Sequence, residues 1–568
     1  MGLTFLIDYT TKEYFSKLVS NSLLTHADIT LLCLDCIQVC YRLKDLTTFY
    51  SQVGPFLRYS ANHWTDHAID CPEDEPAKRA AVAVLADTPL MNAVGMVLRR
   101  SNRKFYLHFA TETGLYHLIP DLHDHSPHRL NKPDMHGITP LHLACIHRHK
   151  LVVRALLSIK EIDVNMIDKG GRSPLSFAAE NGDIHIVRQL LDHGDVQVQH
   201  VNAALIFAAK KSQAEIVEVF LRYKGVDVNV IDTEGRSPLS IVAENGDIHI
   251  VRQLLDHSDV QVQHVNAALI FAVKKSQVEI VEVFLRYKGV DVNVIDTEGR
   301  SPLSFAAENG DIRIVRQLLD RGDLQVQQVN VALIFAARSG KVEIVEVFLR
   351  YKGVDVKESG TIALHAAACI GAVKVVEVLL KEEMIDINAK TKPSGPSPFL
   401  KGVKALNLGN DCSEYGYTAL HFATSRDRPG VIQVLLTQRD VEVNARSNSG
   451  QTPLIIAAHA GQKNPVFLLL GHPKVDVHAE DDERRTALEW AKQRAYGRFE
   501  ARYHGIDYDA VQSFLLDYLE RSATAPVRAQ SNSSGKKQRR NSFPRVTPSN
   551  QPIDKNARRS RKGCKTSE

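Results

Sequence analysis

Residues 215–240 and 279–304 are the same 26 letters, EIVEVFLRYKGVDVNVIDTEGRSPLS, displaced by 64 positions. A catalytic scaffold uses one copy of its residues, whereas a surface built by stacking uses one unit many times. The duplication belongs to a longer series. Leucines at Leu107, Leu141, Leu175, Leu205, Leu239, Leu269, Leu303, Leu333, Leu364, Leu420, Leu454 and Leu488 each open a similar stretch, mostly 34, 30 or 31 residues apart. A period near 33 marks a short unit that cannot bury its own apolar face and must stack on its neighbours. The expected fold is therefore an all-α solenoid.

Each unit reads as two helices and a projecting finger. In ITPLHLACIHRHKLVVRALLS (138–158), Thr139 is placed to cap a helix. Pro140 follows at the first helical position, where its missing N–H costs nothing. In the sister stretch SPLSFAAENGDIHIVRQLL, Asn181-Gly182 supplies a left-handed turn. Ile184, Val187, Leu190 and Leu191 then make the apolar stripe of a second helix. GVDVNVIDTEGR alternates Val-Asp-Val-Asn before a turn, as a β-hairpin finger does.

These residues resemble the ankyrin repeat. ITPLHLA at 138–144 carries the likeness most closely, and Thr418-Ala419-Leu420-His421, Thr452-Pro453-Leu454 and Thr486-Ala487-Leu488 repeat its opening. The resemblance covers about twelve units over residues 105–520. It implies helix pairs with hairpin fingers, a concave groove, and binding of other proteins without chemistry. Units opening at Leu205, Leu269 and Leu333 lack Thr-Pro and are four residues shorter, so long and short fingers are expected to alternate along 160–340. Ser212 and Ser276 stand where sister units have Gly182, Gly246, Gly310 and Gly340. A left-handed serine costs about 1 kcal/mol. Residues 389–417 insert about 22 extra residues into one finger, by the usual repeat length.

Residues 1–104 form a separate helical segment in this reading. GLTFLIDYTTKEYF, HADITLLCLDCIQ and GPFLRYSANHWTDHA resemble the helical region that precedes the repeats in fungal receptors of the NACHT-ankyrin type. That resemblance implies a sensing or regulatory fragment of an NLR-like immune or allorecognition receptor without its nucleotide-binding module. The tail, 521–568, has too few large apolar residues to fold alone. Residues 522–568 hold twelve Lys/Arg against two acidic residues, although the whole chain carries only +4. The clusters 536–540 and 558–562 point to nuclear import, with weak nucleic-acid contact the lesser reading, because no aromatic platform accompanies them. Arg539-Arg540-Asn541-Ser542 offers Ser542 as a phosphorylation site. Eight scattered cysteines and no secretory pattern favour a cytoplasmic or nuclear chain. No window is apolar enough to span a bilayer.

Signatures of chemistry are missing. No G-x-x-x-x-G-K-[ST] window exists to surround a phosphate chain, nor any H-E-x-x-H or G-x-S-x-G. Neither catalytic residue nor cofactor is expected. Cys33, Cys36 and Cys40 share one side of an apolar helix and read as core thiols rather than metal ligands. His123, His125 and His128 read as a solvated connection between units.

Recognition falls to the groove. Aligned units place Glu180 near Lys210 and Lys211, Glu244 before Lys274 and Lys275, and Glu308 before Arg338. With helices about 8–10 Å apart, acidic and basic groups alternate along the inner surface. The fingertip sets Asp232, Glu234, Arg236 and Asp296, Glu298, Arg300 extend the pattern. Two readings stand: complementarity to a protein partner bound by a monomeric chain, or neutralisation of each unit by the next.

Overall fold

The computed structural model describes residues 25–42, 60, 63–87, 106–391, 416–495 and 507–524. The insertion's 392–415, the basic clusters, Ser542 and most of residues 1–104 lie outside them. Contacts divide the chain into Met1–Leu516 and Asp517–Glu568. Of the second unit, only 517–524 are described, the end of helix Tyr508–Thr524.

Among the described residues there are helices and turns and no strand. Twelve inner helices, from Tyr106–Thr113 to Ala487–Ala495, carry the twelve marker leucines, and an outer helix follows each in sequence. The start signals act as their chemistry requires. Thr139 accepts a bond from the His142 N–H, and Ser173, Ser237, Ser301 and Thr452 cap their helices in the same way. Proline holds the first helical position after each. Behind the caps, Leu175, Ala178 and Ala179 of one inner helix and Ile186, Val187 and Leu190 of its outer helix are buried. Alanine lets neighbouring helices close together, while each buried Leu, Ile or Val contributes about 1.5–3 kcal/mol.

Among the described residues, the turn between paired helices is left-handed. Gly182, Gly246, Gly310 and Gly340 have φ between 69° and 91°, and Ser212 and Ser276 adopt 53° and 59°. Arg148 and Asp427 fill the same place in two other units, at 60° and 51°.

The finger pattern differs from the expected one. Long connections run through 158–173, 222–237 and 286–301, as predicted, and each is a tight turn rather than a strand pair. The intervening units do not carry shortened fingers; they have none. Their inner helices, Val198–Lys210, Val262–Lys274 and Val326–Arg338, are 13 residues long and begin where a finger would stand. DVQVQHVNAAL contains neither glycine, proline nor a Ser/Thr-Pro cap, so nothing interrupts the helix. Glu358–Ile370 is a fourth such helix.

Asparagines bind unit to unit. Asn165 donates to the Asp195 carbonyl (2.8 Å) and accepts from the Gln197 N–H (2.9 Å); Asn229 and Asn293 repeat this 64 and 128 residues on. Asn202 and Asn266, in the fingerless units, accept from Asp227 and Asp291 N–H.

Helices His26–Arg42 and Glu75–Ala86 join the same apolar core as the repeats: Trp64 stacks on Phe109 at 6.2 Å and Lys78 meets Asp121 at 2.9 Å. Cys33 is fully buried, its thiol pushed up to about 11 by that burial, as befits a core residue. The Cys40 side chain lies outside the described ones. His123 and His125 are not in a connection; they lie on helix Ile119–His125, where the apolar Ile119 and Leu122 bury one face, and His128 on the turn after it. Among the described residues no group of three His, Cys, Asp or Glu is arranged to hold a metal, and no helix is long and apolar enough to cross a membrane.

Candidate partner-binding groove

The fingertip turn is built around one aspartate. The Asp232 carboxylate accepts from the backbone N–H of Glu234 (3.0 Å) and Arg236 (2.9 Å), while its own N–H donates to the Arg236 carbonyl (2.9 Å). Asp296 does the same with Glu298 and Arg300, and Asp168 with Gly170 and Arg172. Gly235 closes the turn in a left-handed conformation. Burial alone would raise the Asp232 carboxyl, but the bonds from Arg236, Lys210 and Glu234 outweigh it and hold the group at about 2. A permanent negative charge results at the Asp232 tip.

From that charge a relay of ion pairs descends the inner helices. Lys210 (3.0 Å) and Arg236 (3.1 Å) meet Asp232; Arg236 also reaches Glu234 (3.2 Å) and Glu244 (3.4 Å), and Glu244 receives Lys275 (3.4 Å). The next copy repeats the relay: Lys274 to Asp296 (3.4 Å), Asp296 to Arg300 (3.7 Å), Arg300 to Glu308 (3.4 Å), Glu308 to Arg338 (2.6 Å). The preceding copy runs Asp168, Arg172, Glu180, Lys211. The predicted residues are thus brought together, and neighbouring units meet charge with opposite charge. Exposed pairs of this kind contribute about 0–1 kcal/mol each. Glu298 contributes its backbone to the Asp296 turn.

Asp168 and Arg172 were missed because DKGGR differs from DTEGR in two letters, though alignment of the turn would have found them. Asn181, Asn245 and Asn309 have a structural task. Their amides donate to the last carbonyls of the preceding inner helix, such as Cys145 and Ile146 for Asn181 (3.1 and 3.0 Å). They satisfy groups that a helix end leaves orphaned.

A family model described as ankyrin repeats (three copies) matches residues 107–200, 205–296, 262–330, 303–391 and 399–481, together more than half of the chain. Human Rabankyrin-5 is 25% identical over 440 residues, 70% of this chain and 36% of that protein. The human transient receptor potential cation channel subfamily A member 1 is 25% identical over 486 residues, 69% of this chain and 41% of that protein. Human neurogenic locus notch homolog protein 2 is 37% identical over 91 residues, 16% of this chain and 4% of that protein. The chain therefore spans about two fifths or less of the length of these relatives.

Proposed function

The chain belongs to the ankyrin-repeat family, and from that premise we propose that it is a non-enzymatic scaffold that binds a protein partner along the inner helices and fingers of residues 105–520. One observation carries the reading: the same set of Lys, Glu, Asp and Arg, paired with one another, recurs at 64-residue intervals. Such repetition suits a surface that meets an extended or multivalent protein, since engaging one site raises the effective concentration at the next. A charge relay that is satisfied internally affects which partner is accepted, and how fast, more than how tightly it is held.

Affinity capture with the full chain, compared with a variant carrying Lys210→Glu, Lys211→Glu, Lys274→Glu and Lys275→Glu, tests this. Selective loss of the captured protein by a variant that still melts as a folded array is the expected result. Equal recovery from both removes the groove from the function.

A further inference from the structure

The charges of the relay are engaged with one another, which turns attention to the apolar groups on the same fingers. Ile167, Ile231 and Ile295 occupy one position in three long fingers and are 50%, 55% and 55% exposed. Three residues earlier, Val164, Val228 and Val292 are buried. Each isoleucine immediately precedes the aspartate whose carboxylate ties the turn, so it stands on backbone already fixed before any partner arrives. Preorganised, branched side chains lose little freedom on contact. The finger segments 158–173, 222–237 and 286–301 each hold three Lys/Arg against three Asp/Glu, so each finger is neutral. A fingerless unit separates each from the next.

We propose that Ile167, Ile231 and Ile295 form three equivalent contacts for one extended, uncharged protein segment that carries an apolar side chain every six residues. The proposal rests on the scaffold reading above and names the chemistry of its partner. Its spacing follows from geometry. Inner helices pack about 8–10 Å apart, so successive long fingers, two units apart, stand about 16–20 Å apart. An extended chain advances about 3.3 Å per residue and its side chains alternate between faces, which places every sixth side chain in register on one face. Each finger carries no net charge, so a charged segment gains no net attraction in return for its lost hydration, which selects an uncharged one. Each contact is small, and three in one chain gain through effective concentration.

Three labelled peptides of about 20 residues, each with three leucines in a Ser/Asn/Gln background, spaced about three, six or nine residues apart, provide the probe. Fluorescence anisotropy with the full chain is expected to show the six-residue spacing bound about tenfold or more tighter than the other two. Ile231→Thr weakens that binding, and the triple variant Ile167→Thr, Ile231→Thr, Ile295→Thr reduces it to the level of the mismatched peptides. These side chains are half exposed, so the triple variant should melt as the parent does. Equal affinity for all three spacings, or undiminished binding by a folded triple variant, overturns the proposal. Should that happen while the groove charge reversal still loses its captured protein, the fingertip row is wrong and the scaffold reading survives. If the charge reversal also changes nothing, both fall.

Discussion

The units flanking the duplicated block and the units inside it solve the same packing problem with different chemistry. In the flanks, His142 and His421 lie buried at the third helical position: Nδ1 accepts the N–H of Thr139 or Thr418 (both 3.1 Å), and Nε2 donates to Arg172 O (3.0 Å) or Gln451 O (3.1 Å). His108 and His365 likewise donate to Ile138 and Ala389 carbonyls. Each histidine thus reaches the base of the following finger. Within the block, Ser176, Ser240 and Ser304 take the place of histidine and bond only to their own capping serines, at 3.1–3.2 Å. The unit after each of these serines has no finger. Where no finger base waits to accept a bond, a long donor would be orphaned, and a short hydroxyl serves instead.

Acidification should separate the two regions most sharply. Burial lowers His142, His365 and His421 to about 4, against the ordinary 6.5, with the carbonyl bond opposing. A proton on Nδ1 of His142 or His421 would also face the N–H it now accepts. The folded pKa lies below the unfolded one, so the unfolded chain takes up protons first as pH falls. The stability these histidines contribute is complete above about 6.5 and is lost between there and about 4. The fingertip carboxylate Asp232, held near 2, titrates only below that window. Amide hydrogen exchange at pH 7 and pH 5 is expected to show protection falling more around Leu141, Leu364 and Leu420 than in 174–349, where burial lowers the part-exposed His200 and His264 instead. A uniform loss across both regions would break the distinction.

A smaller effect distinguishes two copies inside the block. Ser212 and Ser276 both hold left-handed turns, at 53° and 59°. Relief of that strain by glycine is worth about 1 kcal/mol, less the extra freedom glycine has when unfolded. Ser212→Gly is expected to raise stability by about 0.5 kcal/mol in urea unfolding. Ser276 differs, since its hydroxyl donates to the Asp311 carboxylate and accepts from Asn309 (3.4 Å). Ser276→Gly should therefore bring no gain, or a loss. Equal gains at both sites would mean that those bonds add nothing.

What the sequence disclosed follows the reach of its signals. Thr-Pro and Ser-Pro starts, left-handed turn positions and apolar stripes are local, and Leu141, Gly182 and Val187 fell where their spacing placed them. The fingerless units were misread because a shorter repeat looks like a trimmed loop. The overlooked signal was an absence, namely no glycine or proline between Val196 and Leu205. Unit-to-unit bonds such as Asn165 to Asp195 span 30 residues, and no property of a lone asparagine announces them. The groove residues were legible by alignment, but their mutual pairing depended on how far Lys275 or Arg236 extends.

An effect of similar size uses the copies as mutual controls. Arg236 and Arg300 occupy the same place, each linking its fingertip aspartate to a glutamate eight residues on at 3.4 Å. Beneath Arg300, however, lies Phe305, its ring 4.2 Å from the guanidinium, whereas the corresponding residue of the other copy is Ile241. A guanidinium over a ring adds about 0.5–1 kcal/mol at sites of this exposure. In a Glu234→Gln background, which removes the ion pair that Arg300 lacks, Arg300→Gln should therefore cost that much more than Arg236→Gln in denaturant unfolding, and the excess should vanish in a Phe305→Ile background. If the two substitutions cost the same, the ring contributes only its buried area and the relay is energetically uniform along the block. If the excess survives Phe305→Ile, it comes instead from the ion pairs, and the two copies are less alike than their sequences.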